Sequence, residues 1–328
     1  MRLIAKTFLV MLMPIALSSC IHYSMGKNYK GPSELPKEIA DRYSYVVGFA
    51  ETDGEILEEK PTYLIKRIEL PAYKPSSAET GVSEKQDTIV VDYYEIKGQN
   101  KMPVIIVLPV LGGNNGESKL FCAYFAKRGL ASLMVHRDQK QKDFASLENL
   151  EAAFIDMVID HRTVIDWIAT QKKLDSEKIG VFGASMGGIK AALLMAIDNR
   201  ISAGVFALAG GDLPYILTHS KEKGIAERVE DAMKERGLSK EELQSLLKAR
   251  IRTDPALLAE YIDARNVLLI SAVFDKIVPR SKQRELGFAI GNPERIDIFS
   301  GHYTSLLYIF YVQRASFSFF ERKFGSVR

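Results

Sequence analysis

The stretch that decides the fold is residues 178–188, which read KIGVFGASMGG. Residues 178–182 have the pattern of a short buried strand, and the apolar run 186–197 after them predicts a helix. Between them lies a G-x-S-x-G pentapeptide centred on Ser185. Such a pentapeptide often arises by chance, because Gly and Ser are both common residues. A strand before it and a helix after it favour a sharp turn that exposes the serine hydroxyl, so we predict that Ser185 is a nucleophile.

The residues around Ser185 suit that turn. Gly183, Gly187 and Gly188 are small enough for strand and helix backbones to approach each other closely. The backbone N–H of Met186 would then lie at a helix N-terminus, where the free donor and the helix dipole favour a developing negative charge. Met186 is therefore predicted to supply one donor of an oxyanion hole.

Residues 160–188, with VIDWI at 164–168 and KIGV at 178–181, resemble the same region of dienelactone-hydrolase-like and acyl-esterase-like α/β-hydrolases. The resemblance implies the α/β-hydrolase fold from about residue 62 onward, with a mainly parallel central sheet flanked by helices. It also implies a nucleophile, an acid and a histidine in that chain order, each at the carboxyl end of a strand. The serine needs both partners, since an unassisted hydroxyl is a poor nucleophile.

Alternating strand and helix patterns give the same fold class. One segment interrupts the alternation: residues 212–265 are charged and helical in pattern, and we expect them to form a cap inserted between two late strands. The predicted strands are 62–70, 88–96, 103–108, 131–135, 178–182, 203–208, 266–273 and 295–299, and the predicted helices outside the cap are 119–128, 150–170 and 186–197.

His302 is the best candidate for the base. It alone among the five histidines follows the last predicted strand, and Gly301 before it resembles the catalytic-histidine loop of the family. The alternative is a surface histidine before a C-terminal helix. Asp275, followed by Val278-Pro279, looks like the acid loop of the family, although it could instead cap the helix near Arg280. Asp212 is the second candidate for the acid.

The second oxyanion donor is expected after strand 103–108. Aligning the glycines of Pro109-Val110-Leu111-Gly112-Gly113 with the family pattern points to the N–H of Leu111. The family often has His-Gly where this chain has Pro109-Val110, although a backbone donor does not require that side chain. Gly112 and Gly113 could also serve a plain turn.

The N-terminus has the pattern of a secretion signal. Arg2 and Lys6 precede an apolar run, 8–17, that is too short to span a bilayer. The run ends in LSSC at 17–20, which resembles a lipobox and implies that Cys20 is acylated and becomes the first residue of a lipid-anchored protein. If the source is Gram-negative, the absence of Asp at position 21 favours the outer membrane. The alternative is an ordinary signal peptide. We expect a signal at 1–19, a tether at 20–40 and a hydrolase domain at 41–328.

Composition excludes several other classes. Hydrophobic residues make up 47% of the chain, and the formal charge is only +3 with no basic block, so nucleic acid is not an expected partner. No metal-ligand spacing, Walker A or G-x-G-x-x-G pattern occurs, and neither a metal nor a cofactor is predicted. The second cysteine, Cys122, lies in an apolar stretch and is expected to be a buried structural thiol. The oligomeric state is left open.

The expected activity is hydrolysis of a carboxylic ester or thioester. Exopeptidase and acyltransferase activity use the same machinery and stay open, as does a non-catalytic scaffold on this fold. Related exopeptidases usually carry a large propeller domain, for which this chain has no room before the nucleophile. An interfacial lipase is disfavoured, because the cap insertion is charged and gives no lipid-docking face.

Overall fold

The computed structural model describes residues 20–46, 54–73, 75, 85–110, 115–136 and 149–325. Within these residues a sheet of ten strands runs through the molecule in the order β1-β10-β9-β8-β7-β5-β6-β4-β3-β2. The strands are β1 (Cys20–Tyr23), β2 (Glu55–Glu59), β3 (Tyr63–Tyr73), β4 (Lys85–Ile96), β5 (Met102–Leu108), β6 (Ala131–Val135), β7 (Leu174–Ala184), β8 (Ile201–Ala207), β9 (Val267–Ala272) and β10 (Glu294–Ile298).

The six strands from β5 to β10 run parallel to one another. At one side of the sheet, β1 pairs antiparallel with β10. At the other side, the pairs β2–β3, β3–β4 and β4–β6 are antiparallel. The helices are α1 (Lys37–Asp41), α2 (Gly116–Ala126), α3 (Leu150–Thr170), α4 (Met186–Ile197), α5 (Leu213–His219), α6 (Lys223–Arg236), α7 (Lys240–Arg250), α8 (Pro255–Leu258), α9 (Arg280–Ile290) and α10 (Ile309–Phe324). The predicted mainly parallel sheet, flanked by helices, is confirmed.

Helices cover both faces of the sheet and create a separate apolar core on each. Helices α3, α4 and α9 bury one face, and α2 and α10 bury the other. Helix α4 is buried along its whole length, which explains why its sequence is apolar nearly all round. The central strand β7 therefore lies between two cores, and its carboxyl end is held rigidly where the nucleophile was predicted.

The segment predicted as a tether is instead fastened along the domain. Strand β1 pairs antiparallel with the edge strand β10, and Gly26 N–H donates to the Asn292 carbonyl at 2.8 Å. Farther on, the Tyr29 hydroxyl donates to the Ile262 carbonyl at 3.1 Å. The physical reason is that β10 would otherwise present a row of unpaired backbone groups at the sheet edge.

The charged insertion is helical, as expected, and contains α5, α6, α7 and α8. It enters after β8 and returns to β9, so it lies beside the carboxyl ends of the parallel strands. Among the described residues, no helix is both long and apolar enough to cross a membrane. The predicted signal, residues 1–19, lies outside the described part of the chain.

Candidate active site

Ser185 lies at the tip of a sharp turn between β7 and α4. Its φ of 54° and ψ of −124° are strained for a residue with a side chain, and its N–H donates to the Ala207 carbonyl at 2.8 Å. The turn directs the chain from the centre of the sheet straight into the buried helix. The structure thus places Ser185 where the strand–turn–helix pattern predicted.

Two glycines make the turn possible by allowing backbone segments to touch. A Cβ atom on Gly183 would overlap the carbonyl group of Gly187, and a Cβ on Gly187 would overlap the Leu108 carbonyl oxygen. Backbone atoms cannot swing aside as a flexible side chain can, so no larger residue fits at either position. The glycine spacing of the pentapeptide therefore has a direct steric cause.

Three predicted site residues meet at the carboxyl edge of the sheet. His302 Nδ1 lies 2.7 Å from Asp275 Oδ2, and His302 Nε2 lies 2.9 Å from Ser185 Oγ. An ionised carboxylate only accepts hydrogen bonds, so Nδ1 carries the proton and Nε2 is left as the acceptor for the serine hydroxyl. The Asp275 side chain is fully buried and that of His302 is 11% exposed, which keeps competing water away from these bonds.

Asp275 is held from several directions. Its Oδ1 accepts from the N–H groups of Ile277 and Val278 at 2.8 and 3.0 Å, so the loop itself helps to fix the carboxylate. Arg280, near which Asp275 could have served only as a helix cap, pairs instead with Asp297 at 2.9 Å. Asp212, the alternative acid, caps α5 and accepts from Lys282 Nζ at 2.8 Å, without contact to His302.

Sequence reasoning missed Gln283, a buried residue of α9. Its Nε2 donates to Asp275 Oδ2 at 3.0 Å and to the Val278 carbonyl at 2.7 Å, while its Oε1 accepts from Ala272 N–H at 3.2 Å. Gln283 therefore links the acid to strand β9. The sequence contains one indication of this role: Gln283 is a polar residue at helical spacing from the apolar Leu286 and Ile290, on the buried side of α9.

Of the two predicted oxyanion donors, Met186 lies in the described part of the chain. Met186 is the first residue of α4, and the first N–H groups of a helix have no partner within it. Its N–H is thus positioned beside Ser185 at the positive end of the helix dipole. Leu111, with Gly112 and Gly113, lies outside the described residues, and its role stays a prediction.

A cavity of about 580 Å³ opens over Ser185. Helices α5 and α6 of the insertion form part of its wall, so the insertion covers the site as a cap. The polar lining groups include Ser185, His302, Glu117 and Glu222, whereas most other lining residues are apolar. The apolar lining residues include Phe121, Phe182, Leu213, Ile216, Leu217, Ile225, Ile270, Ile277, Val278, Ile298, Ile309 and Val312.

Three of the other four histidines, His136, His161 and His219, have contacts within the fold. His161 is buried in α3, its Nδ1 lies 2.7 Å from the Met157 carbonyl oxygen, and burial lowers the pKa of its imidazole to about 4. His136 lies 2.7 Å from the Asp92 carboxylate, and the His219 ring stacks on Tyr215 at 4.0 Å. None of the three lines the cavity over Ser185.

The two cysteines differ in exposure. Cys122 is fully buried, and burial raises the pKa of its thiol, which agrees with the predicted structural role. Cys20 begins β1 and is partly exposed at the sheet edge. Its position follows directly from the pairing of β1 with β10.

Comparison with known proteins supports this architecture. The model of the dienelactone hydrolase family matches residues 91–230, a little less than half of the chain. No curated protein matches the chain by sequence. Among solved structures, an acetyl xylan esterase from Paenibacillus sp. R4 is 15% identical with a TM-score of 0.64, and the alignment covers 88% of this chain and 100% of that protein.

Two further structures are similar. Acetyl xylan esterase 1 from Thermoanaerobacterium sp. JW/SL YS485 is 15% identical with a TM-score of 0.59, covering 90% of this chain and 99% of that one. The acylaminoacyl peptidase of Pyrococcus horikoshii is 18% identical with a TM-score of 0.57, but 80% of this chain covers only 42% of the peptidase. These likenesses show the fold, and the family match over residues 91–230 supports an ester hydrolase at a coarse level.

Proposed function

We propose that this protein, an α/β-hydrolase by fold, is a serine hydrolase that cleaves a carboxylic ester or thioester through an acyl-enzyme. The observation that carries the proposal is His302, which bridges Ser185 and Asp275 with hydrogen bonds of 2.9 and 2.7 Å. In a scaffold without activity, nothing would require all three side chains to stay aligned, with Asp275 and His302 shielded from water.

The reaction follows from the protonation states of the site. Neutral His302 takes the proton of Ser185 through Nε2 as Oγ attacks the carbonyl carbon, and Asp275 stabilises the imidazolium that forms. The Met186 N–H stabilises the negative oxygen of the tetrahedral intermediate, with the N–H of Leu111 as the proposed second donor. His302 then protonates the leaving alcohol or thiol, and water activated by the same histidine releases the acid.

The cavity favours an ester with an apolar portion. Its lining is largely aliphatic and aromatic around Ser185, whereas an acylated sugar or a charged peptide would need several polar partners there. Peptidase activity receives less support, since this chain matches less than half of the peptidase it resembles. Acyl transfer uses the same acyl-enzyme but resolves it with an alcohol in place of water, so the acceptor that reaches the acyl-enzyme decides between the two reactions.

The direct test is covalent labelling. A fluorophosphonate probe should react with the native protein, and peptide mass spectrometry should locate the adduct on Ser185. The protein should also hydrolyse a panel of short and medium acyl esters and thioesters faster than aminoacyl amides. Native, folded protein that neither labels nor hydrolyses any member of the panel would leave only the scaffold interpretation.

Asp275→Asn should lower kcat by about 10³- to 10⁴-fold with little change in KM. The amide can donate to His302 Nδ1, which favours the wrong imidazole tautomer and turns Nε2 into a donor. Steady-state kinetics on a short activated ester measure the effect, and Asp212→Asn is the matched control. Equal losses in both variants would contradict the assignment of Asp275 as the acid.

We further propose that the mature protein is lipid-anchored at Cys20 in the cell envelope. The LSSC pattern and the apolar run before it support this proposal. Cys20→Ser should move the protein from the membrane to the soluble fraction and remove the lipid mass from the N-terminal peptide. A wild-type chain found unlipidated in the soluble fraction would rule out the anchor.

A further inference from the structure

Large apolar side chains are concentrated on the surface beside the cavity mouth. We call this surface the apolar rim. Five of its six members lie in residues 298–313, which contain no Asp, Glu, Lys or Arg, whereas Phe274 is followed by the buried Asp275 and the exposed Lys276. The members of the rim are Phe274 (60% exposed), Phe299 (43%), Tyr303 (64%), Leu306 (48%), Leu307 (78%) and Phe310 (71%).

The rim is continuous and leads into the cavity. Residues 303–308 form a 3₁₀ helix that continues into α10, so residues three apart lie on the same side: Tyr303 with Leu306, and Leu307 with Phe310. The rings of Phe274 and Phe299 are 6.3 Å apart and extend the surface across the neighbouring loops. Tyr303 and Leu306 also line the cavity wall. An apolar molecule on the rim could therefore reach Ser185 along an apolar path.

The predicted lipid-bearing residue lies at the same edge of the molecule. Cys20 pairs with Ile298, the residue immediately before Phe299, and β1 runs antiparallel to β10. The N-terminal end of β1 therefore points toward the carboxyl edge of the sheet, where the rim and the cavity mouth lie. Because β1 is part of the sheet, no tether separates Cys20 from the domain. Acyl chains on Cys20 would thus draw this edge to the bilayer surface.

We propose that the apolar rim docks on the lipid bilayer and holds the cavity mouth against it. The lipid bilayer is the occupant that both observations favour, because the rim is apolar and the anchor emerges beside it. The charged cap insertion contributes no residue to the rim, so the docking face lies on a part of the chain that the sequence did not single out. Docking rests on the proposed anchor, and delivery of substrate from the lipid rests on the proposed hydrolase activity.

Tryptophan fluorescence offers a direct test, because the chain has a single Trp. Trp167 is 2% exposed and gives a constant background. In the protein purified from membranes and reconstituted in phosphatidylcholine vesicles, Leu307→Trp should emit at shorter wavelength and be quenched by brominated acyl chains. Phe288→Trp is the matched control. It is 75% exposed, but it lies at the end of α9 that precedes β10, on the opposite edge of the sheet, and should stay unquenched.

A second variant pair links docking to turnover. Leu307→Ser/Phe310→Ser should hydrolyse a long-chain ester dispersed in vesicles on the order of tenfold more slowly, since it removes two large side chains from the lipid contact. Neither residue lines the cavity, so hydrolysis of a short soluble ester should not change. Phe288→Ser should affect neither reaction.

Three results would overturn the proposal. They are unquenched emission from Leu307→Trp, equal quenching in Leu307→Trp and Phe288→Trp, or self-association through the rim in place of vesicle contact. Failure to hydrolyse the short soluble ester is a separate result, because it would refute the hydrolase activity and leave the quenching pattern intact.

Discussion

Ser185→Ala should reduce kcat/KM for a short activated ester by about 10⁴- to 10⁶-fold and abolish fluorophosphonate labelling. Alanine removes the only atom that forms the acyl bond and leaves His302 and the helix N-terminus in place. What remains is water attack assisted by the oxyanion donors, which explains why the loss is large but finite.

The same reasoning predicts non-additivity. His302→Ala alone should cost nearly as much as Ser185→Ala, and the double variant should be no worse than either single one, because the two side chains act as a unit. Independent losses that multiply in the double variant would show that the two residues do not share one reaction.

The control for this series is Ser202→Ala. Ser202 lies near the beginning of β8, at the sheet edge opposite the site, and its hydroxyl donates to the Ile179 carbonyl at 3.1 Å. Its activity and probe labelling should match those of the wild type. Activity retained by folded Ser185→Ala would show that Ser185 is not the nucleophile.

Gly187→Ala should destabilise the protein by at least about 3 kcal/mol or prevent its folding. The new methyl group would overlap the carbonyl oxygen of Leu108, a buried backbone atom of β5. Relief would require helix α4 to move away from the sheet, and α4 is buried along its whole length. Urea unfolding of the purified protein measures the change in free energy, and loss of probe labelling should accompany it.

Gly224→Ala is the matched control. Gly224 lies in the first turn of α6, and its added Cβ would come 3.3 Å from the Glu222 carboxylate, which caps α6 by accepting from Ile225 N–H at 2.8 Å. This carboxylate can shift by a few tenths of an ångström, whereas the Leu108 carbonyl cannot, and Ala has a higher helix propensity than Gly, so the variant should stay within about 1 kcal/mol of the wild type. Equal destabilisation by the two substitutions would contradict the steric explanation of the turn.

Sequence patterns alone predicted several strands and helices at the centre of the fold. The segments 131–135, 150–170 and 186–197 agree with the structure to the residue. Long apolar runs leave little freedom of interpretation, because only buried strands and helices accommodate them. Ser185, Asp275 and His302, which the structure brings together, could also be picked out from the sequence, since each follows a recognisable strand and chain order limits the combinations.

Local sequence patterns did not predict the strands at the two edges of the sheet. Strand β2 reads EILEE and is exposed along its whole length, so it has no apolar alternation to detect. Strand β1 has four residues and depends on a partner far away in the sequence. The role of Gln283 and the exposure of the rim likewise depend on which elements pack together, which periodicity does not reveal.

The pairing of β1 with β10 also has a consequence for the order of folding. Cys20 and its partner Ile298 are 278 positions apart in the chain. A contact of such long range must wait for almost the whole chain, so the sheet gains its last strand at the end of folding. Until β10 has been synthesised, β1 has no strand to pair with, so the sheet edge that carries Cys20 is completed only when residues 294–298 are in place.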